Sequence, residues 1–295
     1  MDIYIGPAGW AYEDWEGAVY PARGSAGFDR LGYLSNWFDC IEINSTFYRM
    51  PSARVCAGWA ERTRGRPRFL FTVKLHRGFT HETGGPPAGA AAAFLGGIAP
   101  LSESGRLGSL LAQFPWSFRN SAAGLSRIER LVEEFAGFPI AVEVRHASWN
   151  TAAFYDFLER RGAGVCNIDQ PLRRSSMPPS ARSTAPTGYF RLHGLNYAAW
   201  FREGADRDER YDYLYEWREL EAWASRVSAA AARTARVFVI LNNHYRGKAV
   251  CNALELKALL SGAPVDIPPP LLDAFPRLAH IARSPGAGAG MLPGF

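Results

Sequence analysis

Charged side chains occur inside a stretch of sequence that otherwise has the pattern of a buried β-strand. In IAVEVRHASWN, residues 140–150, Val142 and Val144 form one face and Glu143 and Arg145 fall on the other, because strand side chains alternate. A guanidinium can hold an anion and a carboxylate can move a proton. Charge facing an apolar helix layer is costly, so we expect this polar face to look into a ligand site.

The same alternation puts polar groups near the carboxyl ends of most other strand-like segments. Strand by strand, the polar groups that share a face are Glu42, Asn44 and Thr46; Thr72, Lys74 and His76; Asn167 and Asp169; and Tyr189, Arg191 and His193, while strand four ends in Gln113 and strand eight closes with Asn242, Asn243 and His244. We therefore predict one ring of three bases and three acids, formed by Lys74, Arg145, Arg191, Glu42, Glu143 and Asp169.

Eight strand-like segments alternate with helical or crossover segments. They are Ile3–Gly6, Cys40–Asn44, Arg68–Leu75, Ser109–Phe114, Ile140–His146, Ala163–Asp169, Gly188–Gly194 and Val237–Asn243. Strands that alternate with helices indicate a parallel sheet, and eight such units match a single (β/α)8 TIM-barrel-like domain, whose ligand site lies at the carboxyl ends of its strands. We call that end the barrel mouth. A doubly wound sheet is the alternative, but the chain has no GxGxxG or GxxxxGK[ST] phosphate turn.

The barrel domain is predicted to span residues 1–262. Between strands six and seven the segment QPLRRSSMPPSARSTAPTG is too rich in proline for a long helix, so a Pro-rich loop replaces that helix. Residues 263–295 form a C-terminal extension with one short helix, Leu271–Ala282, and a mobile Gly/Pro end. We expect that short helix to cover the side of the barrel where the helix is missing.

Composition limits the classes of protein. The 295 residues are 47% hydrophobic and 21% charged, which is typical of a globular chain. No apolar run is long enough to span a membrane, no secretory signal begins the chain, and the four cysteines are scattered, so we expect a cytoplasmic protein with reduced, buried thiols. The net charge of +5 favours anionic ligands, and nothing in the sequence indicates an oligomeric state.

Motifs along almost the whole chain resemble those of the YecE-like family of domains of unknown function. They are GPAGWAYEDWEGAVYP, EINSTFYRMP, FTVKLHRGFTHE, LAQFPWSF, VEVRHASW, YFRLHG and LNNHYRGKAVCNALELKALL, in this order. The resemblance implies a TIM-barrel-like fold and no settled activity. On matching positions it singles out Trp10, Trp15, Tyr20, Asn44, Phe47, Tyr48, Lys74, His81, Gln113, Glu143, Arg145, His146, Trp149, Arg191, Gly194 and Asn242.

The first functional hypothesis is an enzyme, a hydrolase or lyase, that acts on an anionic and phosphorylated small molecule without a cofactor. Lys74 and the two arginines would hold the anion, and a carboxylate would act as general acid or base. We predict the catalytic residues Glu143, Asp169, Lys74 and His81, and the substrate-binding residues Arg145, Arg191, Asn44, Tyr48, Gln113, His193, Asn242 and Trp10. Gly247 and Lys248, at a helix start, offer a further phosphate site.

Two alternatives stay open. One is a metal-dependent phosphodiesterase or AP-endonuclease-like protein that processes nucleic acid, a comparison that the family resemblance suggests at the level of the fold. Its divalent metal would take ligands from Glu42, His76, His81, Glu143, Asp169, His193 and His244, and its bases would stack on Trp10, Tyr12, Trp15, Phe47, Tyr48, Trp149, Tyr197 and Trp200. Cationic neighbours would repel that metal, which ranks this hypothesis second. The other alternative is a non-catalytic binding module.

Overall fold

The computed structural model describes residues 2–22 and 27–283. Within them, eight strands form one parallel sheet. They are β1 Asp2–Pro7, β2 Cys40–Ile43, β3 Leu70–Lys74, β4 Leu107–Gln113, β5 Ile140–Glu143, β6 Gly164–Asp169, β7 Thr187–Leu192 and β8 Arg236–Leu241. Each strand pairs with the next along the chain from β2 to β8, and β8 pairs with β1. The predicted (β/α)8 barrel is therefore confirmed.

The barrel closes where β1 approaches β2. The amide of Gly9 donates to the carbonyl of Glu42 over 2.9 Å, and Ala8 forms a parallel bridge with the same residue. The two backbones come so close that a Cβ on Gly6 would lie 1.7 Å from the carbonyl oxygen of Cys40. Only glycine fits at this position, because any side chain would collide with backbone atoms.

Helices surround the sheet. They are α1 Arg30–Leu34, α2 Ala53–Arg62, α3 Arg77–Thr80, α4 Ala90–Glu103, α5 Ala122–Glu134, α6 Ala152–Arg160, α7 Tyr197–Trp200, α8 Arg207–Arg210, α9 Trp217–Ala231, α10 Lys248–Ser261 and α11 Pro269–Ala274. The side chain of Thr151 accepts from the amide of Phe154 and caps α6, and Gly162, with a φ of 64°, follows its end, as the sequence predicts.

No helix forms between β6 and β7 in the described chain, and the Pro-rich segment covers the barrel there itself. The side-chain amide of Asn167 on β6 donates to the backbone carbonyl of Arg182 over 2.9 Å. The hydroxyl of Thr184 accepts from the backbone amide of Val165 over 2.8 Å. The expected cover by the C-terminal helix was wrong. That region packs on α10 instead, where Arg277 bonds to Glu255 over 2.8 Å. The predicted mobile end, residues 284–295, lies outside the described residues.

Aromatic side chains fill the barrel interior at the amino ends of the strands. Tyr4 stacks on Phe238 with 5.2 Å between ring centroids, and a Cβ on Gly108 would lie 2.4 Å from the same phenylalanine ring. The four cysteines are unpaired and buried, as predicted. In residues 2–22 and 27–283, no helix is long and apolar enough to cross a membrane. Because one end of the interior is packed with rings, the polar interior residues gather at the other end, the barrel mouth.

Candidate active site

Arg191 stands at the centre of the charged residues in the barrel mouth. Its Nε and Nη2 donate to the two carboxylate oxygens of Glu42 over 3.0 and 2.7 Å, and its Nη1 donates to Glu143 Oε2 over 2.7 Å. The arginine side chain is 2% exposed and both carboxylates are 0% exposed. Tyr189 lies 2.8 Å from Glu42 Oε2, which adds a further partner to that carboxylate. β2, β5 and β7 are thereby tied together across the barrel.

The second oxygen of Glu143 faces Arg145 and His193. Arg145 donates from Nε over 3.0 Å, and His193 Nε2 lies 3.3 Å from the same oxygen. Asn242 donates to the other ring nitrogen of His193 over 2.9 Å, which assigns the histidine proton to Nε2. Burial alone would raise the pKa of Glu143, but the guanidiniums of Arg191 and Arg145 hold it well below its usual range. Glu143 is therefore an ionised carboxylate.

Lys74, at the end of β3, is the cation of this site that has no counter-ion. No carboxylate of the described chain lies within 4.0 Å of its Nζ, which sits 4.0 Å from the centroid of the Phe47 ring. Burial, followed by the positive charge of Arg191, lowers the Lys74 pKa to about 7, although Glu143 and Glu42 act in the opposite direction. At neutral pH this amine can gain or lose a proton.

His81 contacts the ring of Phe47, which also covers Lys74. Its imidazole meets Phe47 edge-on at 4.8 Å, and its Nδ1 is 2.9 Å from the hydroxyl of Thr80. Burial, followed by the charges of Lys74 and Arg145, lowers the His81 pKa to about 4. His81 is thus a neutral neighbour of Lys74 at physiological pH.

A cavity of about 110 Å³ opens beside the lysine ammonium. One buried water needs on the order of 10–15 Å³ on this measure, so the cavity holds a compact ligand of several non-hydrogen atoms. Its walls are Tyr12, Asn44, Tyr48, Lys74, Arg191, Tyr211, Asn242 and His244. The buried Asn44 Oδ1 has no hydrogen-bond donor among the residues that the structure describes, so one acceptor in this wall is left for a ligand.

The segment 195–216, here called the mouth loop, lies over this charged group. Trp200 places its ring 5.5 Å from the guanidinium carbon of Arg145 and meets Tyr211 edge-on at 5.6 Å. Tyr215 anchors the loop, because its hydroxyl accepts from the amide of Gly194 over 2.8 Å. The mouth loop thus supplies an aromatic cover to the site.

The predicted place of Asp169 in the ring of acids and bases was wrong. Its neighbour across the sheet is Leu192, on the face that looks towards the helices, while Cys166 and Ile168 look inward. Asp169 Oδ2 instead accepts from the hydroxyl of Tyr215 over 2.6 Å, and burial raises the Asp169 pKa to about 6. Asp169 therefore holds the mouth loop in place from outside the barrel interior.

Other predicted site residues lie at different distances from the cavity. Tyr48 stands on its rim with 62% of its surface exposed, and Gln113, buried at the end of β4, donates to the carbonyl of Phe114 over 2.6 Å. The predicted place of Trp10 at the site was wrong, because its ring packs edge-on against Trp59 of α2, 5.3 Å away on the helix side. Lys248, at the helix start where a phosphate site was predicted, forms an ion pair with Asp212.

Tyr211 is a residue of the cavity wall that the sequence analysis did not single out. The structure begins α9 only at Trp217 and leaves residues 211–216 extended. The segment YDYLYEW carries tyrosines at every second position, and this period of two is typical of an extended chain with one face packed. That alternation was the available signal.

The residues of the mouth do not fit a divalent metal. In the described part of the chain no three His, Cys, Asp or Glu side chains are grouped as metal ligands. The carboxylate oxygens of Glu42 and Glu143 already accept from guanidiniums, and the cationic neighbours of these oxygens would repel a second positive charge.

An eight-stranded parallel barrel with helices between its strands belongs to the class of (β/α)8 proteins. Residues 4–274 match the family described as "Protein of unknown function DUF72". The chain therefore belongs to the DUF72 family, and the predicted relationship to YecE-like proteins is confirmed.

Relatives of known structure and sequence share most of the chain. A crystal structure of a DUF72 family protein from Thermotoga maritima is 34% identical, covers 88% of this chain and 100% of its own, and superimposes with a TM-score of 0.78. UPF0759 protein YunF of Bacillus subtilis is 29% identical over 288 residues, which are 92% of this chain and 100% of that protein. UPF0759 protein YecE of Escherichia coli O157:H7 is 26% identical over 185 residues, covering 61% of this chain and 62% of that protein.

Proposed function

We propose that this protein is an enzyme that binds a small anionic substrate in the barrel mouth and transfers a proton through Lys74. The observation that carries the proposal is the position of the Lys74 ammonium. It lies in the same cavity wall as Arg191, and no carboxylate of the described chain lies within 4.0 Å of it. An unpaired cation in a partly enclosed cavity attracts an anion, because little water remains there to screen the charge.

The charge balance of the mouth supports an anionic ligand. Glu42 and Glu143 carry two negative charges, and Arg145 and Arg191 carry two positive charges, so these four side chains balance one another. The protonated Lys74 adds one uncompensated positive charge. A carboxylate or a phosphate group in the cavity would neutralise it, and arginine and lysine are both common ligands of such groups.

The roles of the mouth residues follow from their protonation. We assign Glu143 as a fixed counter-ion rather than a general base, because a carboxylate with such a depressed pKa is a weak base. Lys74, whose pKa is lowered to about 7, matches the operating pH that favours proton transfer. Asn44 and Asn242 supply polar contacts from the cavity wall. Hydrolysis and elimination both need such a group, so a hydrolase or lyase of a phosphorylated or carboxylated molecule fits this site.

The two alternatives make different demands. A metal-dependent phosphodiesterase needs a cluster of carboxylate and imidazole ligands, and the mouth uses its carboxylates as partners of arginine instead. A non-catalytic binding module needs only the cavity and its charge. Binding and turnover therefore have to be measured separately.

The test is an anion titration of the full chain and two variants. Inorganic phosphate and small carboxylates are titrated calorimetrically into the natural protein, Lys74→Met and the matched control Lys257→Met, whose lysine lies 3.5 Å from Asp39 on the outside. We expect binding by the natural chain and the control, loss of binding in Lys74→Met, and weaker binding as pH rises through about 7, where the ammonium deprotonates. Equal affinity in all three proteins would refute the proposal.

Turnover is then screened with phosphorylated metabolites. Product formation that disappears in Lys74→Met and persists in Lys257→Met supports the enzymatic assignment. Binding that depends on Lys74 without any turnover across the screen supports the binding module instead.

A further inference from the structure

Lysine is rare in this chain. Of its 33 lysine and arginine residues, only Lys74, Lys248 and Lys257 are lysines. Lys248 pairs with Asp212 and Lys257 with Asp39, so both act as simple charged partners. Arginine serves for positive charge almost everywhere else, including the centre of the barrel mouth. Lys74 differs from the arginines of the barrel mouth in one chemical property. Its amine can release a proton and become a nucleophile, whereas a guanidinium stays protonated.

The surroundings of Lys74 favour the free amine. The ring of Phe47 covers one side of Nζ at 4.0 Å, and no carboxylate of the described chain lies within 4.0 Å to hold the proton. Arg191 lies in the same cavity wall, and its positive charge makes a second cation beside it unfavourable. Desolvation together with a neighbouring cation is the combination that activates lysines for attack on carbonyl carbon.

The cavity presents what a small carbonyl substrate would need. Its volume of about 110 Å³ suits a compact molecule, and the phenols of Tyr12 and Tyr211 line it beside the amine. Arg145, in the barrel mouth, donates to Glu143 through Nε over 3.0 Å and its Nη2 lies 2.9 Å from the same oxygen, while its Nη1 has no acceptor in the described chain. The guanidinium can therefore take a carboxylate without losing its present partner.

We propose that Lys74 forms a Schiff base with a short 2-oxo acid bound in this cavity. The inference rests on the proposed function, because it uses the same site, and it names the substrate class. Charge balance supports it. A neutral amine, a 2-oxo acid anion and one proton combine into a protonated iminium that carries a carboxylate, with loss of water, so the bound adduct has no net charge. The two ion-paired carboxylates and arginines would then keep their partners throughout.

The covalent step is a condensation. The lone pair of Lys74 Nζ forms a bond to the carbonyl carbon, and the electrons of the C=O π bond move to oxygen, which takes up a proton while nitrogen loses one. The resulting carbinolamine hydroxyl is protonated and leaves as water, and the nitrogen lone pair closes the C=N bond. Amine, carbonyl compound and the proton taken up by the leaving hydroxyl become a protonated iminium and water, and no oxidant or reductant takes part. The phenols and asparagines of the cavity wall are the groups available to pass these protons.

The experiment is reductive trapping with pyruvate as the probe. The full chain is incubated with pyruvate, the imine is reduced by borohydride, which delivers hydride to the iminium carbon, and peptides are mapped by mass spectrometry. We expect one adduct per chain, located on Lys74. Lys248 and Lys257 are internal controls for random modification, and Lys74→Arg, checked for folding by circular dichroism, should lose the adduct while it keeps the charge.

Failure of this inference can be separated from failure of the proposed function. The same samples, without borohydride, are tested for an increase in melting temperature with pyruvate and with inorganic phosphate. Stabilisation by both anions without a Lys74 adduct would overturn the Schiff base and retain the anion site. No stabilisation and no adduct would overturn both, and equal labelling of the three lysines would also overturn the inference.

Discussion

Replacing Arg191 by methionine tests the charged network at its centre. The substitution removes three hydrogen bonds to Glu42 and Glu143 and keeps much of the side-chain volume. Both carboxylates are fully buried, and Glu42 has no other cationic partner within 4.0 Å in the described chain. Removing one partner of a buried ion pair costs about 3–5 kcal/mol, because the remaining charge stays buried without compensation. At about 2–4 °C per kcal/mol, the melting temperature should fall by roughly 10 °C.

The loss should depend on pH in a defined direction. In the natural protein the pKa of Glu143 is held well below its usual range, so its contribution to stability is present above the unfolded pKa and is lost only in strong acid. Without Arg191, burial favours the neutral form of a buried carboxyl group, and the folded variant binds a proton more readily than the unfolded chain. Its free energy of unfolding should therefore increase as pH is lowered from about 7 to about 5.

The assay is thermal unfolding by calorimetry at both pH values. Arg64→Met is the matched control, because Arg64 is 78% exposed, pairs with Glu61, which is 63% exposed, and should contribute less than about 1 kcal/mol. Adding Glu42→Gln to Arg191→Met should recover part of the loss, since it removes one uncompensated charge. An Arg191→Met variant that is no less stable than the control, or whose loss is the same at both pH values, would refute the network as described.

Three further substitutions test other parts of the argument. Lys74→Met should raise the melting temperature most below about pH 7 and less as pH rises, because it removes an ammonium whose pKa burial lowers to about 7; thermal unfolding across pH measures this. Asp169 has a pKa raised to about 6, so stability should fall as pH rises through about 4 to 6, and Asp169→Asn should abolish that slope in the same scans. Gly6→Ala should lower the free energy of unfolding by more than about 4 kcal/mol or prevent folding, because the new Cβ would lie 1.7 Å from the carbonyl oxygen of Cys40. Its control is Gly58→Ala in α2, where the new Cβ has open space and should stabilise the helix by about 0.5–1 kcal/mol. Denaturant titrations measure both.

The barrel could be predicted from sequence because its strands are buried on both faces. Parallel strands in this position read as short apolar runs, and Val237–Leu241 is a clear example. The end of the chain could not be predicted as well. Whether the helix near residue 270 covers β6 or packs on α10 depends on pairs such as Arg277 with Glu255, which are distant in sequence and belong to no local pattern.

The site was predictable only where the polar face of a strand points into the barrel. On β5 the face of Glu143 and Arg145 does so, opposite Val142 and Val144, and the same holds for Lys74 on β3. In β6 the alternation is just as clear, but Cys166 and Ile168 look inward and the polar face of Asp169 looks outward, so parity alone cannot say which face looks inward. The deciding partner of Asp169 is Tyr215, which lies 46 positions along the chain.

The arrangement of the mouth separates two tasks that one charged cluster could not perform together. Glu42, Arg191, Glu143 and Arg145 satisfy one another, and such a saturated network is rigid because moving any member would strand a buried charge. Lys74 is not part of this network. Burial and the charges of Arg191 and Arg145 lower its pKa, and no carboxylate of the described chain lies within 4.0 Å of its ammonium. A fixed set of charges thus prepares one group to respond to a ligand. For this reason substitutions in the network should lower stability, whereas substitutions of Lys74 should abolish binding and reaction without lowering stability.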